Sequence, residues 1–194
     1  MCLCLCLPAT LTGCNFNKRS RNTHLQKREV KQGIGYDNEI SQIIDFVHSI
    51  NSLKHPFTIE KKILGTDDGG RLTGYYNRHI LTKINVWLGM SNSAFTQQFY
   101  FKNGHLVYAE ENHAYYSWDQ NKGEINRNQY SKTKEEKYYF LNGILIRHMP
   151  NHKINVADLK IMSGAIIANA RMYIKFLSAN QKTVYINNKD KNEQ

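Results

Sequence analysis

One short pattern occurs twice in the 194-residue chain and limits the folds that the chain can adopt. Residues 99–107 read FYFKNGHLV and residues 138–146 read YYFLNGILI, so aromatic, Asn-Gly and aliphatic residues recur in the same order at an offset of 39. Asn-Gly readily takes the positive φ angles that both central positions of a type I′ turn require. Aromatic side chains that face each other across a hairpin stabilise the strand pair. The repeat therefore predicts two tight hairpins in an antiparallel sheet.

Other segments between the two ends of the chain have strand-like patterns. Residues 57–61 alternate between apolar and polar side chains, and residues 66–70 read TDDGG, which predicts a turn. Strand-like segments follow at 71–76 and 80–88, and a short one at 183–186. Two copies of a hairpin are too few for a solenoid, so we predict an antiparallel meander of about six to eight strands.

Two segments show the spacing of amphipathic helices. The first covers residues 37–53, with Asp37 or Asn38 as the predicted N-cap, and the second covers residues 155–177, with Asn155 as its cap. Apolar residues recur at steps of three and four in both segments; they are Ile40, Ile43, Ile44 and Val47, then Val156, Leu159, Met162, Ile166, Ala170, Tyr173 and Leu177. The predicted class is α+β, with an N-terminal helix and a long C-terminal helix packed on one face of the sheet.

These elements predict one α+β domain over residues 36–187, followed by a polar tail at 188–194. No stretch of eighteen apolar residues occurs, so no segment of the sequence has the length of a membrane-spanning helix. The content of aromatic residues, 11%, is too high for a chain that is disordered throughout.

All four cysteines lie in the first fourteen residues, at Cys2, Cys4, Cys6 and Cys14. Residues 1–13 carry no charge, and the sequence Leu11-Thr12-Gly13-Cys14 resembles the lipobox of bacterial lipoproteins. The resemblance implies that residues 1–13 are a signal peptide and that the Cys14 thiol carries a diacylglycerol. Two alternatives stay open from the residues alone: an inert apolar terminus, or a soft metal ion held by the cysteines.

Residues 14–35 form the predicted tether between the lipid and the folded domain. Between residues 15 and 32 it contains six Lys or Arg residues and one acid, Glu29. Such a segment either lies on anionic lipid headgroups or serves as a plain solubilising linker. No acid follows Cys14 closely, which favours a protein that stays in the cell envelope and faces the periplasm.

The repeated hairpins carry a second resemblance. The basic tether, the Gly74-Tyr75-Tyr76 segment and the two Asn-Gly hairpins, with Glu135 and Glu136 just before the second, are similar to small uncharacterised envelope lipoproteins of the Bacteroidota. The similarity covers about residues 65–147. It implies an envelope location and supplies no catalytic residue.

Candidate ligand-facing residues are Tyr100 and Tyr139 in the repeated strands, and His105 and His148 beside them. If their strands are neighbours, the two histidines could form a metal or acid/base pair, although polar positions on an open sheet face explain them equally well. The acid pairs Glu110-Glu111 and Glu135-Glu136 do not form dyads by adjacency, because neighbouring residues of a strand point to opposite faces. Residues 119–125 have a calcium-loop-like order but lack its glycine and its final glutamate, which favours a hairpin loop.

No nucleophile, phosphate-loop or paired metal-ligand motif occurs, and we predict neither a cofactor nor a metal site. The net charge is +10, but six of the cations lie in the tether, so the charge indicates a membrane surface before nucleic acid. The sequence predicts a membrane-anchored envelope protein that binds a protein or small-ligand partner on its aromatic sheet. The alternatives are a periplasmic enzyme with a His/Glu site on the sheet, or a cytosolic nucleic-acid binder.

Overall fold

The computed structural model of the chain describes residues 35–54, 57–150 and 156–185. The predicted signal peptide, Cys14, the predicted tether up to residue 34, Asn155 and the polar tail lie outside these residues. The described part of the chain forms two helices and eight strands. In chain order they are α1 (Asp37–Asn51), β1 (Phe57–Leu64), β2 (Gly70–Asn77), β3 (Ile80–Met90), β4 (Ser93–Lys102), β5 (His105–Asp119), β6 (Glu124–Leu141), β7 (Ile144–Met149), α2 (Val156–Ser178) and β8 (Thr183–Tyr185).

The eight strands form one sheet in the order β7-β6-β5-β4-β3-β2-β1-β8. From β1 to β7 each strand pairs antiparallel with the next, and β8 pairs in parallel with β1. The parallel pair arises because α2 carries the chain from the β7 edge of the sheet back to the β1 edge. The predicted α+β class, with a meander and a helix before and after it, is confirmed.

Both Asn-Gly turns have the predicted geometry. The two φ angles are 53° and 77° in Asn103-Gly104, and 52° and 76° in Asn142-Gly143. A third hairpin turn, Arg78-His79, has φ angles of 49° and 69° without a glycine. Positive φ at two consecutive non-glycine residues is uncommon. For this reason we could predict only a break between two strands at this position, and not a tight turn.

The aromatic residues of each repeat divide between the two faces of the sheet. The first and third rings, Phe99 and Phe101 in the first copy, pack in the core beneath α2, and the middle ring, Tyr100, packs beneath α1. The second copy follows the same rule, because side chains alternate along a strand. The core beneath α2 is made of Ile63, Leu72, Ile84, Val86, Leu88, Phe99, Phe101, Ala109, Tyr138, Phe140, Ile166, Ala170, Tyr173, Leu177 and Val184.

Helix α1 covers only the β4–β7 part of the opposite face, where it packs on Tyr100, Tyr108, Tyr139 and Ile146. The remaining part of that face, over β1–β4, is not covered by a helix in the described part of the chain. This difference between the two halves of the face defines the surface discussed below.

The predicted N-cap of α1 was wrong. The helix begins after Tyr36, which makes no side-chain capping bond, and Asp37 is already helical. The carboxylate of Asp37 instead accepts a hydrogen bond from Arg147 Nη2 at 2.7 Å. An ion pair to β7 has therefore replaced the local capping interaction and fixes the start of α1 on the sheet.

The hairpin of β5 and β6 extends past the neighbouring strands. Beyond Tyr116 its two strands pair only with each other, and the rings of Tyr116 and Tyr130 stack with centroids 5.5 Å apart. An ion pair from Arg127 to Asp68 links this extension to the β1–β2 turn. Trp118 lies on the extension and is 61% exposed.

Helix α2 packs closely on the sheet at Gly74. A Cβ added there would lie 2.8 Å from Leu177 Cδ1 and 3.1 Å from Tyr76 Cε2. Both atoms belong to packed side chains, so they have little room to give way. Glycine at this position therefore lets the end of α2 rest on β2.

Replacing Gly74 with alanine should lower the free energy of unfolding by about 1–3 kcal/mol, because the new methyl group overpacks the core. The same replacement at Gly164, where an added Cβ meets no neighbouring element within 4 Å, should raise it by about 0.5–1 kcal/mol through helix propensity. Urea denaturation of both variants measures the two effects. Effects of the same sign would contradict the packing described here.

Candidate functional site

Two of the residues predicted to face a ligand are covered. Tyr100 is 2% exposed and Tyr139 is 7% exposed, and both rings pack in the cluster beneath α1 that includes Ile40 and Ile43. We expected these rings to form an open binding surface, but in the structure they are buried. The reason is that α1 buries the middle ring of each repeat.

The two predicted histidines lie in different surroundings. His105 is exposed beside the β4–β5 turn and lines a cavity of about 200 Å³ with Gly143 and Arg171. His148 is buried on β7, where its Nε2 lies 3.3 Å from Glu136 Oε2 and its ring stacks on Tyr138. The histidine pair considered from the sequence is therefore not formed, and His148 contacts a carboxylate instead.

The uncovered half of the α1 side forms a shallow polar hollow of about 440 Å³, which we call the polar sheet face. The strand register aligns its side chains in rows across β1 to β4, for example Arg71 beside Trp87 and Trp87 beside Thr96. The eight residues that define the polar sheet face are Thr58, Glu60, Arg71, Thr73, Tyr75, Asn85, Trp87 and Thr96.

Trp87 and Tyr75 are the two aromatic residues of the polar sheet face, and Trp87 is the larger. Its indole lies over Gly89, where an added Cβ would be 2.8 Å from Cη2 and 3.3 Å from Cζ2 of the ring. The absence of a side chain at Gly89 thus allows the ring to rest against the sheet while remaining partly exposed. The sequence analysis missed Trp87, although the alternation of Asn85 and Trp87 with the buried Ile84, Val86 and Leu88 is visible in β3.

Hydrogen bonds and cation–π contacts fix the border between the polar sheet face and α1. Lys83 Nζ donates to Asn51 Oδ1 at 2.9 Å and lies 5.6 Å and 5.0 Å from the ring centroids of Tyr75 and Tyr100. Burial lowers the pKa of Lys83, partly opposed by Glu110, and burial raises the pKa of Tyr100 to about 12. Tyr100 therefore keeps its hydroxyl proton at neutral pH and can donate to Asn51 Oδ1, which lies 3.0 Å away.

A second cavity, of about 330 Å³, lies between the first half of α2 and the sheet; we call it the α2 cleft. Its sheet side is polar and charged, whereas its helix side is mostly aliphatic. The residues that define the α2 cleft are Glu111, His113, Lys134, Glu136 and Tyr138 on the sheet, with Met162, Ala165, Ile166 and Asn169 on α2.

Two carboxylates face each other on the sheet side of the α2 cleft. Glu111 and Glu136 are direct cross-strand partners of β5 and β6, an arrangement that is normally unfavourable for like charges. The hydroxyl of Tyr138 lies 2.7 Å from Glu136 Oε2 and 3.1 Å from Glu111 Oε2. Acids that are neighbours in the sequence do not form a pair here, but the register of β5 with β6 places Glu111 beside Glu136.

Buried polar side chains extend this network below α2. Gln97 is fully buried; its Nε2 donates to Glu111 Oε1, and its Oε1 accepts from the Tyr173 hydroxyl at 3.0 Å. Burial and the charge of Glu111 raise the pKa of Tyr173 to about 12, and burial together with hydrogen bonds to the carboxylates raises the pKa of Tyr138. Both tyrosines therefore remain hydrogen-bond donors at neutral pH.

Glu136 is held in its ionised form. Burial opposes ionisation, but hydrogen bonds from Lys134 and Tyr138, the charge of Lys134 and the contact with His148 together keep the pKa of Glu136 at about 2. A carboxylate with so low a pKa is a weak base at neutral pH, and efficient general bases have pKa values near the working pH. Glu136 is thus suited to binding and charge pairing rather than to proton abstraction.

Replacing Glu136 with glutamine should lower the free energy of unfolding at pH 7 by about 2 kcal/mol. Each pKa unit corresponds to about 1.4 kcal/mol, reduced here because the side chain keeps some contact with water. The folded-state pKa lies below the ordinary value of 4.5, so this stabilisation is complete above pH 4.5 and is lost as the pH falls toward 2.

Urea denaturation at several pH values measures that difference between wild type and Glu136→Gln. Glu135→Gln is the matched control, because Glu135 is the preceding residue, points to the other face and is 50% exposed. Its effect should stay below about 0.5 kcal/mol. A difference for Glu136→Gln that is constant from pH 7 to pH 2.5 would contradict the assignment.

The described residues contain no group of three or more His, Cys, Asp or Glu side chains placed to hold a metal ion. The calcium-like segment at 119–125 is a hairpin loop, as predicted, in which Asp119 Oδ1 accepts the backbone N–H groups of Asn121 and Lys122 at 3.0 Å and 3.2 Å. Neither helix of the described chain combines the length and the apolar character needed to cross a bilayer. Compared with protein-family models, with curated proteins and with solved structures, the chain matches none of them.

Proposed function

We propose that this chain is a lipid-anchored binding protein of the bacterial cell envelope, and that its polar sheet face binds polysaccharide. The observation that carries the ligand assignment is the placement of Trp87, whose ring rests on the sheet among hydroxyl, amide and charged side chains. The anchoring half of the proposal rests on the lipobox at residues 11–14 and on the basic tether.

The chemistry of the polar sheet face suits sugar rings. A pyranose presents C–H groups on its faces, which pack on an aromatic ring, and hydroxyl groups around its edge. Hydroxyl and amide side chains such as Thr73 and Asn85 both donate and accept hydrogen bonds, and the amphipathic indole of Trp87 offers an apolar surface beside them. A shallow, open hollow also suits a chain ligand that continues at both ends.

The charge of the polar sheet face favours an uncharged ligand over nucleic acid. Its eight residues include one acid, Glu60, and one base, Arg71, so their formal charges cancel. Nucleic-acid surfaces instead have an excess of Lys and Arg that neutralises phosphates. The basic residues of the tether are better explained by anionic headgroups next to a Cys14 anchor.

Retention of the full chain, solubilised in detergent, by insoluble chitin and by purified peptidoglycan tests the ligand assignment. Chitin is a chain of N-acetylglucosamine, and the glycan strands of peptidoglycan alternate this sugar with N-acetylmuramic acid. Soluble oligomers of N-acetylglucosamine should therefore release the protein from both matrices. Single-stranded DNA should not compete. Failure of both matrices to retain the chain, or release by DNA and not by oligosaccharide, would overturn the assignment.

A further inference from the structure

We propose that the α2 cleft is a second binding site, which takes a small molecule with a primary ammonium group on a short aliphatic body. The polar sheet face and the α2 cleft are separate: the first lies on the α1 side of the sheet and the second lies beneath α2. The inference is therefore independent of polysaccharide binding and of membrane anchoring.

The charge balance of the α2 cleft points to a cation. Glu136 forms ion pairs with Lys134 and, when the imidazole is protonated, with His148. Glu111 forms no ion pair within the described residues, and its hydrogen-bond donors, Gln97 and Tyr138, are neutral. Lys134 also interacts with Glu111, but its ion pair is with Glu136. The lining of the cavity therefore contains two carboxylates and one lysine.

Glu111 has two potential hydrogen-bond donors, Gln97 and Tyr138, but the proton of Tyr138 is shared with Glu136. The Tyr138 hydroxyl has one proton, and Glu136 Oε2 lies nearer to it, at 2.7 Å, than Glu111 Oε2 does, at 3.1 Å. Two carboxylates that face each other across a strand pair and share one proton leave an electron-rich oxygen on Glu111. The three N–H groups of an ammonium ion would satisfy that oxygen and reduce the repulsion between the carboxylates.

The helix side of the α2 cleft indicates what is attached to the ammonium group of the ligand. Met162, Ala165 and Ile166 present an aliphatic surface opposite the carboxylates, and Asn169 adds one amide group. A volume of about 330 Å³ lies at the lower end of the range for small-molecule sites. An ammonium group on the sheet side and a short alkyl chain on the helix side fit this division.

Other ligand classes fit less well. The sheet side has two carboxylates against one lysine, and this excess of negative charge repels an anion. A metal ion needs three or more protein ligands in most closed sites, and no such group of side chains exists in the described part of the chain. A wholly apolar ligand would leave Glu111 without a partner in a cavity from which it displaces water.

Titration of the full chain with n-butylammonium, followed by calorimetry, tests the proposal. Saturable binding is expected, with 1-butanol and butyrate, which have a similar size but no positive charge, binding about tenfold more weakly or not at all. Glu111→Gln keeps the shape of the side chain, removes its negative charge and retains one of its two acceptor oxygens, and it should weaken n-butylammonium binding about tenfold. Glu135→Gln, an acid-to-amide change on β6 on the opposite face of the sheet, should leave it unchanged.

Three results would overturn the proposal: no saturable binding of n-butylammonium, equal binding of 1-butanol, or equal loss in Glu111→Gln and Glu135→Gln. Thermal denaturation of each variant identifies loss of folding, and retained folding with unchanged n-butylammonium affinity in Glu111→Gln also contradicts the site. Trp87→Ala should bind n-butylammonium like wild type. The proposals for the polar sheet face and for the α2 cleft can therefore be refuted independently of each other.

Discussion

Trp87→Ala should weaken the binding of polysaccharide to the chain about five- to 150-fold. Stacking of a nucleobase on an aromatic side chain contributes about 1–3 kcal/mol by alanine substitution, each 1.4 kcal/mol is about tenfold in the dissociation constant, and we expect a sugar ring on Trp87 to fall in the same range. Among the eight residues of the polar sheet face, only Trp87 and Tyr75 have a large apolar surface, and the indole is the larger of the two. Chitin co-sedimentation over a range of matrix concentrations measures the change.

Trp118→Ala is the matched control for this prediction. Trp118 is the other tryptophan of the chain and is 61% exposed, but it lies on the β5–β6 extension and does not line the polar sheet face. Its replacement should leave chitin binding unchanged, and Trp87→Phe should keep part of it because a ring remains. Equal loss of chitin binding in the Trp87→Ala and Trp118→Ala variants would indicate non-specific adsorption through exposed aromatic side chains and would contradict the assignment.

Cys14→Ala should abolish lipid attachment and shift most of the protein out of the membrane fraction. A lipoprotein loses its anchor when the thiol that carries the diacylglycerol is replaced, and the basic tether alone provides only reversible attraction to anionic lipids. Radiolabelled palmitate fed to bacteria that express the chain should label wild type and not the variant. Fractionation of the same cells should move the variant out of the membrane pellet.

Cys6→Ala provides the control for that experiment, because the proposal assigns Cys6 to the signal peptide, which a peptidase would cleave off before Cys14. Its labelling and fractionation should match wild type. Labelling of Cys14→Ala, or loss of labelling in both variants, would contradict the assignment of Cys14 as the lipidated residue.

The elements set by local chemistry could be predicted from the sequence. Asn103-Gly104 and Asn142-Gly143 form their turns because Asn and Gly tolerate positive φ, which is a property of the two residues themselves. Helix α2 follows from its apolar spacing, and its predicted end, Leu177, lies within one residue of the observed end. Arg78-His79 shows the limit of this approach, because the flanking strands impose a backbone that neither residue prefers.

The sites could not be predicted, because both depend on contacts between distant segments. Tyr100 and Tyr139 were assigned to a binding surface, but α1 packs on them, and nothing in their own strands indicates which helix covers which half of the sheet. Glu111 and Glu136 are 25 residues apart in the sequence and become partners only through the register of β5 with β6. That register includes bulges at Tyr115 and Tyr116, which sequence patterning does not reveal.

The fluorescence of Trp87 tests the central claim, polysaccharide binding on the polar sheet face, most directly. Trp118→Phe leaves Trp87 as the single tryptophan of the chain, so its emission reports on that face alone. Titration with a soluble N-acetylglucosamine oligomer should produce a saturable change in the intensity and wavelength of emission, at the same concentrations that release the protein from chitin. Unchanged emission while the oligomer releases the protein would show that the sugar binds elsewhere and would contradict the account.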